Sequence, residues 1–411
     1  MKRILMLGGS TTQVCAIKKA KEMGLYVIIC DYLPDNPGQF VADEFYKIST
    51  TDKEAVLELA KGLNLDGVVC YAPDPAAPTA AYVCERLGFP TSPYESVMVL
   101  SNKDTFRKYL KDNGFNTPKA ESYTNLECLK KDAESFKYPV MVKPVDSSGS
   151  KGINKIYSLD EIEWAYEDAM KYSRCKRIVV EEFIQKKGYQ VSGDGFSVDG
   201  KLVFRCFGNE FYSDNAIKEY VPLGECWPSF LSEEMQNKIH DELQKLITSL
   251  GMKTGAYNIE VILDENDNVY ILELGARNGG SLIPQITQYA TGVDMVEYTI
   301  KAALGEDCSG IKMTEPQGYW SNYMVHSKTS GKLKKVHIAD ELKDNFVEYQ
   351  TDFKVGDSVT AFENAGHALG TMVFKYNSEE EMLDKISRMT QLIDVECQSE
   401  RETQKNAKLF S

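Results

Sequence analysis

The sequence predicts an α/β protein that opens with a doubly wound parallel sheet and closes with a β-rich C-terminal subdomain. Short apolar runs alternate with helical patterns over residues 1–92, and buried strands joined by helices are typical of parallel sheets. The pattern changes at residue 318, after which strands predominate until a last helix near Ser378. The predicted strands are 4–7, 25–30, 45–48, 67–71, 138–143, 177–184, 319–326, 333–338 and 367–374, with a helix beginning at Lys53.

Composition narrows the classes of protein to consider. The chain has 411 residues and a net charge of -14, which suits two to four folding units and argues against a generic nucleic-acid binder. Its 10 Cys form no tight CxxC or CxxH pair, and its N-terminus has no signal-peptide pattern, so we predict a cytoplasmic protein with free thiols. Its 4 His show no metal-like spacing, which argues against a zinc or histidine-based mechanism.

A predicted hairpin brings two glutamates together. Two strand patterns flank the sequence DENDN at 264–268, which has the composition of a turn. A hairpin symmetric about the midpoint between Asn266 and Asp267 places Glu260 opposite Glu273 and Ile262 opposite Ile271. Directly opposed like charges destabilise a sheet, and two carboxylates at that spacing suit Mg²⁺. The alternative is a pair of exposed glutamates that splay into water.

A loop of small residues follows the strand predicted at 138–143. Its sequence DSSGSKG exposes backbone N–H groups that could surround phosphate oxygens, and Gly149 and Gly152 permit close approach. Lys143 and Lys151 add positive charge, although the spacing differs from that of a Walker phosphate loop. A flexible surface hairpin loop is the alternative.

Two other segments suggest ligand contacts. Arg277 lies four residues past Glu273 in a glycine-rich turn, where it could bind a phosphoryl group or a carboxylate, and a turn with an exposed arginine is the alternative. The strand 178–184 emerges into a linker, so its backbone could meet a purine edge, although a plain strand is the default interpretation.

Candidates for substrate binding are less specific. Residues 8–12 form a tight turn that we expect Ser10 or Thr11 to cap, since a full GxGxxG motif is absent. This turn, residues 71–78 and the segment 205–227 are candidates to bind the substrates, with Arg205, Asn215 and Lys218 as side chains of the last.

Taken in order, the small-residue loop, the strand 178–184, the glutamate hairpin and the arginine turn resemble the ATP-grasp superfamily over nearly the whole chain. The sequences VKPVDSSGSKG at 142–152 and ELGAR at 273–277 most resemble its L-amino acid ligase branch, the carboxylate–amine ligases. The resemblance implies a two-lobed nucleotide site in an α+β core. It divides the chain into an N-terminal α/β domain (1–92), an ATP-grasp domain (93–305, lid about 121–187) and a C-terminal β-rich subdomain (306–411).

The same resemblance implies ATP and Mg²⁺ as cofactors, with Mn²⁺ as a substitute for Mg²⁺, and it assigns the metal to Glu260 and Glu273. Arg277 and Lys151 would be the catalytic side chains, with Arg277 steadying the transferred phosphoryl group or the acyl-phosphate. The nucleotide would be held by two phosphate lysines (Lys103, Lys143), the lid (Ser147, Ser148, Gly149, Ser150, Lys151, Gly152), the adenine hinge (Glu181, Glu182, Phe183, Ile184) and a ribose contact (Gln190).

Two positions depart from the family pattern. Gln190 stands where the family often has Glu, and Gln can still hydrogen-bond a ribose hydroxyl. Gly275 stands where the family often has Asn, two residues after the second metal glutamate. The metal would then lose one side-chain oxygen, which Asn278 or water would replace.

The resemblance implies a ligase that joins a small carboxylic acid to an amine through an acyl-phosphate and releases ADP and phosphate. It suggests a homodimer, with neither nucleic acid nor membrane as a partner. One alternative is another ATP-grasp chemistry, of the bicarbonate-activating, purine or carbamoyl-phosphate type. The other is a catalytically silent nucleotide-binding regulator.

Overall fold

A four-stranded parallel sheet begins the chain in the computed structural model, which describes residues 1–212 and 220–398. Its strand order is β3-β2-β1-β4, with every neighbouring pair parallel, so the predicted parallel sheet is confirmed. The elements of this first region are β1 (Arg3–Leu7), α1 (Thr11–Glu22), β2 (Tyr26–Asp31), β3 (Glu44–Lys47), α2 (Lys53–Lys61), β4 (Gly67–Cys70) and α3 (Ala77–Leu87).

Two helices lead from this sheet to a small antiparallel sheet with strand order β5-β8-β6-β7. The small-residue loop connects β6 to β7, and the pairing of Val142 with Asn154 holds its two ends together. Apolar residues of α6 and α7 cover one face of the sheet. The elements are α4 (Tyr94–Ser101), α5 (Lys103–Asp112), β5 (Ala120–Tyr123), α6 (Leu126–Asp132), β6 (Val140–Pro144), β7 (Asn154–Ile156), α7 (Ile162–Tyr172) and β8 (Ile178–Glu182).

The rest of the described chain builds a large sheet and a small one. The large sheet has the order β13-β12-β9-β10-β11-β14-β18-β16, and the small one β17-β15-β19. The elements are β9 (Val191–Val198), β10 (Lys201–Phe211), β11 (Gly224–Trp227), α8 (Glu233–Ser249), β12 (Gly255–Leu263), β13 (Val269–Gly275), α9 (Ile283–Thr291), α10 (Met295–Ala303), β14 (Tyr319–Val325), β15 (Gly331–Ile338), α11 (Asp340–Lys343), β16 (Phe346–Gln350), β17 (Ser358–Val359), β18 (Gly370–Tyr376), α12 (Glu379–Ser387), α13 (Met389–Leu392) and β19 (Ile393–Gln398).

Strands from the middle and the end of the chain share the large sheet. Trp227 of β11 pairs with Trp320 of β14, so hydrogen bonds join β9–β13 to β14, β18 and β16. The division of the chain into three regions stays a prediction. Within residues 1–212 and 220–398, no helix has both the length and the apolar character that crossing a membrane requires.

The parallel sheet is covered on both faces, as its buried strands require. Alternate residues point to opposite faces, so Ile4 and Val27 meet α1 while Leu5 and Ile28 face α2 and α3. The helix α10, which lies more than 200 residues further along the chain, completes the first face through Val296, Ile300 and Ala303. This helix ties the start of the chain to the region that follows the glutamate hairpin.

The glutamate hairpin has the predicted central pair. Glu260 of β12 lies directly opposite Glu273 of β13. The prediction that Ile262 faces Ile271 is wrong, because a β-bulge between the two pairs shifts the register by one residue and places Ile262 opposite Tyr270.

Candidate active site

Two cavities meet where the three larger sheets adjoin. The hinge cavity, of about 210 Å³, is lined by the end of β8 and the residues after it, together with β12 and β13. The strand-end cavity, of about 310 Å³, lies between the loop after β4 and the start of α5. The two share three lining residues: Lys103, Leu272 and Glu273.

Most of the predicted site residues converge on the hinge cavity. The predicted site residues that line this cavity are Lys103, Lys143, Ser150, Glu181, Glu182, Phe183, Ile184, Gln190, Glu260 and Glu273. Ser147 lines the strand-end cavity instead. The remaining predicted residues, which line neither cavity, are Ser148, Gly149, Lys151, Gly152 and Arg277.

The backbone amides of the hinge after β8 differ in whether a backbone carbonyl accepts from them. The amides of Glu182 and Phe183 donate to the carbonyls of Lys119 (2.9 Å) and Pro139 (3.0 Å). The amide of Ile184 donates to no backbone carbonyl in the part of the chain that the structure describes. The Ile184 amide therefore suits an acceptor on a purine edge.

A buried cluster of ion pairs lies at the end of β8, next to this hinge. Glu181 is 2% exposed, and its carboxylate lies 3.0 Å from Arg107 Nε and 2.8 Å from Lys143 Nζ. Burial by itself would raise the pKa of Glu181, but the charges of Arg107 and Lys143 outweigh it and hold the pKa at about 2. These two ion pairs thus connect the helix α5 and the strand β6 to the strand β8. Arg107 was missed in the sequence, although its position four residues after Lys103 places both on one helix face.

We expect this cluster to make the fold sensitive to acid. The folded-state pKa of Glu181 is lowered from its ordinary 4.5 to about 2. The stability that ionised Glu181 contributes is therefore fully present above about pH 4.5 and is lost as the pH falls through about 2. Urea midpoints measured between about pH 7 and pH 3 should fall less steeply for Glu181→Gln than for the unchanged protein. Equal slopes would contradict the ionised, paired state of Glu181.

Glu260 and Glu273 form a strained pair of carboxylates. Burial, with the charges of Glu273 and Glu210, raises the pKa of Glu260 well above its ordinary value. For Glu273, burial is outweighed by the charges of Lys103 and Arg277, which lower its pKa. The nearby cations thus favour the ionised form of Glu273, whereas the ionised form of Glu260 is disfavoured.

This pair fits a magnesium ion. Mg²⁺ usually takes one or two carboxylates and completes its shell with water and phosphate oxygens. Residues 1–212 and 220–398 contain no cluster of three or more His, Cys, Asp or Glu that could hold a metal ion. Both glutamates line the hinge cavity rather than splaying into bulk water, and Gln190 Nε2 lies 3.4 Å from Glu260 Oε2. Their role as metal ligands stays a prediction.

Backbone conformation and a lysine contact position the small-residue loop beside the two cavities. Gly149, Ser150 and Gly152 all have positive φ angles, a conformation that glycine adopts without strain. Lys103 Nζ donates to the Ser147 carbonyl at 2.9 Å and lies 3.5 Å from Glu273 Oε2. One lysine therefore touches both the loop and a candidate metal ligand.

The tip of this loop rests on the C-terminal part of the chain. The Ala365 amide donates to the Gly149 carbonyl at 3.2 Å, and Gly366 lies against the exposed Lys151. In this position the Lys151 side chain is outside both cavities. A catalytic role for Lys151 would require the loop to move.

Arg277 is buried rather than exposed. It is 7% exposed, and its Nη1 donates to the Asn278 carbonyl at 2.9 Å. Its Nε and Nη2 donate to Asp74, at 2.6 Å and 2.5 Å, and Nη2 lies 3.9 Å from Glu273. Asp74 belongs to the predicted substrate segment 71–78 and lines the strand-end cavity.

Asn278, the predicted replacement for a metal-binding side chain at position 275, lines neither cavity. Asn278 is fully buried, and its Oδ1 accepts the hydroxyl of Thr299 at 2.8 Å. Gln190, the other departure from the family pattern, lines the hinge cavity as expected.

Two further buried carboxylates were missed in the sequence. Glu210 of β10 pairs directly with Glu225 of β11, and burial, reinforced by neighbouring carboxylates, raises each pKa to about 8. Tyr212 donates to Glu210, and Ser192 donates to Glu225 at 2.8 Å. The connection between the two strands includes residues 213–219, which lie outside the described residues. No local sequence pattern indicates the register between β10 and β11.

Part of the predicted substrate segment 205–227 lines the hinge cavity, namely Glu210, Tyr212, Tyr220 and Pro222. Arg205 donates to Gln236 and Asn237 of α8 and lines neither cavity. Asn215 and Lys218 fall outside the described residues. At the N-terminal turn, Ser10 caps α1 as expected.

Comparisons with known proteins show the family of this chain. A family model described as carbamoyl-phosphate synthase L chain, ATP binding domain, matches residues 102–310, just over half of the chain. The formate-dependent phosphoribosylglycinamide formyltransferase of Methanocaldococcus jannaschii is 25% identical over 351 residues, which are 83% of this chain and 85% of that protein.

Solved structures share the fold. The L-amino acid ligase from Bacillus licheniformis has a TM-score of 0.79 at 22% identity, covering 97% of this chain and 99% of that one. The biotin carboxylase domain of Hydrogenobacter thermophilus 2-oxoglutarate carboxylase, a complex with MgADP, ADP and bicarbonate, has a TM-score of 0.74 at 18% identity, with 96% and 90% covered.

The predicted fold and the predicted superfamily are therefore confirmed. The chain belongs to the family of the carbamoyl-phosphate synthase L chain ATP-binding domain, and it is an ATP-grasp ligase that uses ATP.

Proposed function

We propose that this ligase joins a small carboxylic acid to an amine through an acyl-phosphate and releases ADP and phosphate. The observation that carries the proposal is that the hinge cavity and the strand-end cavity share Lys103 and Glu273. A nucleotide in the first cavity could thus direct its terminal phosphate toward a substrate in the second. The names of two similar proteins are consistent with this reaction, since one is a formate-dependent formyltransferase and the other is an L-amino acid ligase.

The reaction needs two displacements and no protein nucleophile. A carboxylate oxygen attacks the γ-phosphorus, the bond to the β-phosphate oxygen breaks, and ADP leaves. The amine nitrogen then attacks the acyl carbon, the bond to the phosphate oxygen breaks, and the amine proton passes to solvent. The chain contributes position and charge, which in such sites supply most of the catalysis.

Each candidate residue has a defined task in this scheme. Lys103 and Lys143 neutralise phosphate oxygens, and the Ile184 amide orients the purine. Arg277 is paired with Asp74 and lines neither cavity, so it would steady the charge of the transferred group only after leaving that pair. Mg²⁺ held by Glu260 and Glu273 would supply a Lewis acid that neutralises the phosphates. The small-residue loop excludes water, which would otherwise hydrolyse the acyl-phosphate.

Product analysis tests the proposal. The protein is incubated with Mg-ATP and pooled amino acids, other small carboxylic acids and amines, and ADP, AMP and phosphate are measured with mass spectrometry of the mixture. We expect ADP and phosphate that depend on both an acid and an amine. AMP with pyrophosphate would overturn the acyl-phosphate. Release of ADP that depends on bicarbonate would favour a carboxylating enzyme, and Mg-ATP binding without turnover would favour a regulator.

The assembly and the location are also proposals. The resemblance suggests a homodimer, which light scattering after size-exclusion chromatography would detect as twice the chain mass of 46.2 kDa. A monomer mass would contradict it. The cytoplasmic location stays a prediction.

A further inference from the structure

An ion pair joins the N-terminal parallel sheet to the end of the glutamate hairpin. Asp74 begins a short 3₁₀ helix in the loop after β4, at the carboxyl end of the sheet, where ligands of open α/β sheets bind. Its Oδ1 accepts both Nε and Nη2 of Arg277, at 2.6 Å and 2.5 Å. The side chains are 23% and 7% exposed, so the pair is largely withdrawn from water.

A second carboxylate competes for the same guanidinium group. Arg277 Nη2 lies 3.9 Å from Glu273 Oε1, more than 1 Å further than from Asp74. The other cation near Glu273 is Lys103, at 3.5 Å, and it also donates to the Ser147 carbonyl. Glu273 is thus left without a close arginine contact, although a guanidinium group is nearby.

Gly275 makes room for this arrangement. A Cβ atom at position 275 would lie 3.1 Å from Asp74 Oδ1 and 3.2 Å from Arg277 Nε, which is tighter than ordinary van der Waals contact. A larger residue at position 275 would therefore displace the Asp74 carboxylate and the Arg277 guanidinium group from their present contact. Gly275 is one of the two positions at which the chain departs from the family pattern.

We propose that Asp74 is a positioning residue, which holds Arg277 away from Glu273 and so keeps the Glu273 carboxylate available to a divalent cation. The inference rests on the proposed function for the assignment of Glu273 as a metal ligand. Without the charge of Asp74, Arg277 turns to Glu273. A carboxylate that is paired with a guanidinium group must lose that pairing before it can bind a cation.

Direct measurement of Mn²⁺ binding tests the proposal without relying on turnover. Free Mn²⁺ is followed by electron paramagnetic resonance in the presence of ADP, for the unchanged protein and for Asp74→Asn. Partners that orient metal ligands typically change metal affinity by about 10–100-fold, and we expect a dissociation constant for Mn²⁺ at least roughly tenfold higher. Gly275→Ala should shift it in the same direction, because its Cβ displaces the pair.

A matched variant controls for the loss of any buried ion pair. Asp294 joins α10 to α1 through Lys19 at 2.8 Å, and it caps α10 through the Glu297 amide at 2.9 Å. Asp294→Asn removes this ion pair, and asparagine is an equally good capping residue. Melting curves establish that each variant is folded, and we expect Mn²⁺ binding by Asp294→Asn to be unchanged.

The Glu273→Gln variant distinguishes a failure of the role of Asp74 from a failure of the assignment of the metal to Glu273. If it weakens Mn²⁺ binding and folded Asp74→Asn does not, the role of Asp74 is wrong while the proposed function stands. If neither variant weakens Mn²⁺ binding, the assignment of the metal to Glu273 is wrong, and the role of Asp74 falls with it. Weakening in both, with the Asp294→Asn control unchanged, supports the proposal.

Discussion

Glu273→Gln is expected to lower the rate of ADP release about 100- to 1,000-fold, the usual effect of removing one preorganised electrostatic contact. Glu273 lines both cavities and lies 3.5 Å from Lys103 and 3.9 Å from Arg277. Glutamine keeps the shape of the side chain and removes its charge. The cation that the pair with Glu260 would hold then loses one of its two carboxylates.

The rate is measured by a coupled ADP assay once the substrates have been found. Glu265→Gln is the matched control, since Glu265 is an exposed residue in the turn of the same hairpin. We expect the control to work at the normal rate. Near-normal ADP release by folded Glu273→Gln would remove Glu273 from the metal site.

Arg107→Met is expected to lower the free energy of unfolding by about 3–5 kcal/mol, as does breaking other buried ion pairs. Arg107 is 3% exposed, and its partner Glu181 is 2% exposed. Methionine fills much of the volume of the arginine stem, but it leaves the buried carboxylate with Lys143 as its remaining close cation. The unpaired charge, rather than a cavity, accounts for most of the expected loss.

Urea denaturation measures this change, with Lys130→Met as the control. Lys130 pairs with Glu163 at 3.0 Å, and the two side chains are 38% and 56% exposed. Exposed pairs of this kind contribute about 0–1 kcal/mol, so the control should stay near the unchanged protein. A loss below about 1 kcal/mol in Arg107→Met would mean that Lys143 alone suffices to hold Glu181.

Sequence patterns predicted the N-terminal sheet well. The strands β1, β2, β3 and β4 lie within one residue of the predicted apolar runs, and α2 begins at Lys53 as expected. These elements depend on local periodicity and on the turns between them. The hairpin itself was predictable from its turn sequence, whereas Glu260 meets Glu273 only beyond the bulge that separates this pair from the turn.

The register of the pairs next to the hairpin turn was less predictable. The bulge that moved Ile262 opposite Tyr270 leaves no mark in the hydrophobic pattern, since residues on both strands there are largely apolar. The pairing of Glu210 with Glu225 was also beyond reach, because a long connection does not determine how its strands align.

The sequence by itself determined the order of the elements, the glutamate hairpin, the small-residue loop and the likeness to the ATP-grasp ligases. Tertiary structure alone decided what surrounds those residues: Arg107 beneath the hinge, Lys151 outside both cavities, and Asp74 on Arg277. Asp74 and Arg277 are 203 residues apart, and they meet only because the carboxyl end of the parallel sheet adjoins the end of β13. Local patterns follow from backbone and side-chain preferences, whereas the charge around each site residue depends on packing between distant segments.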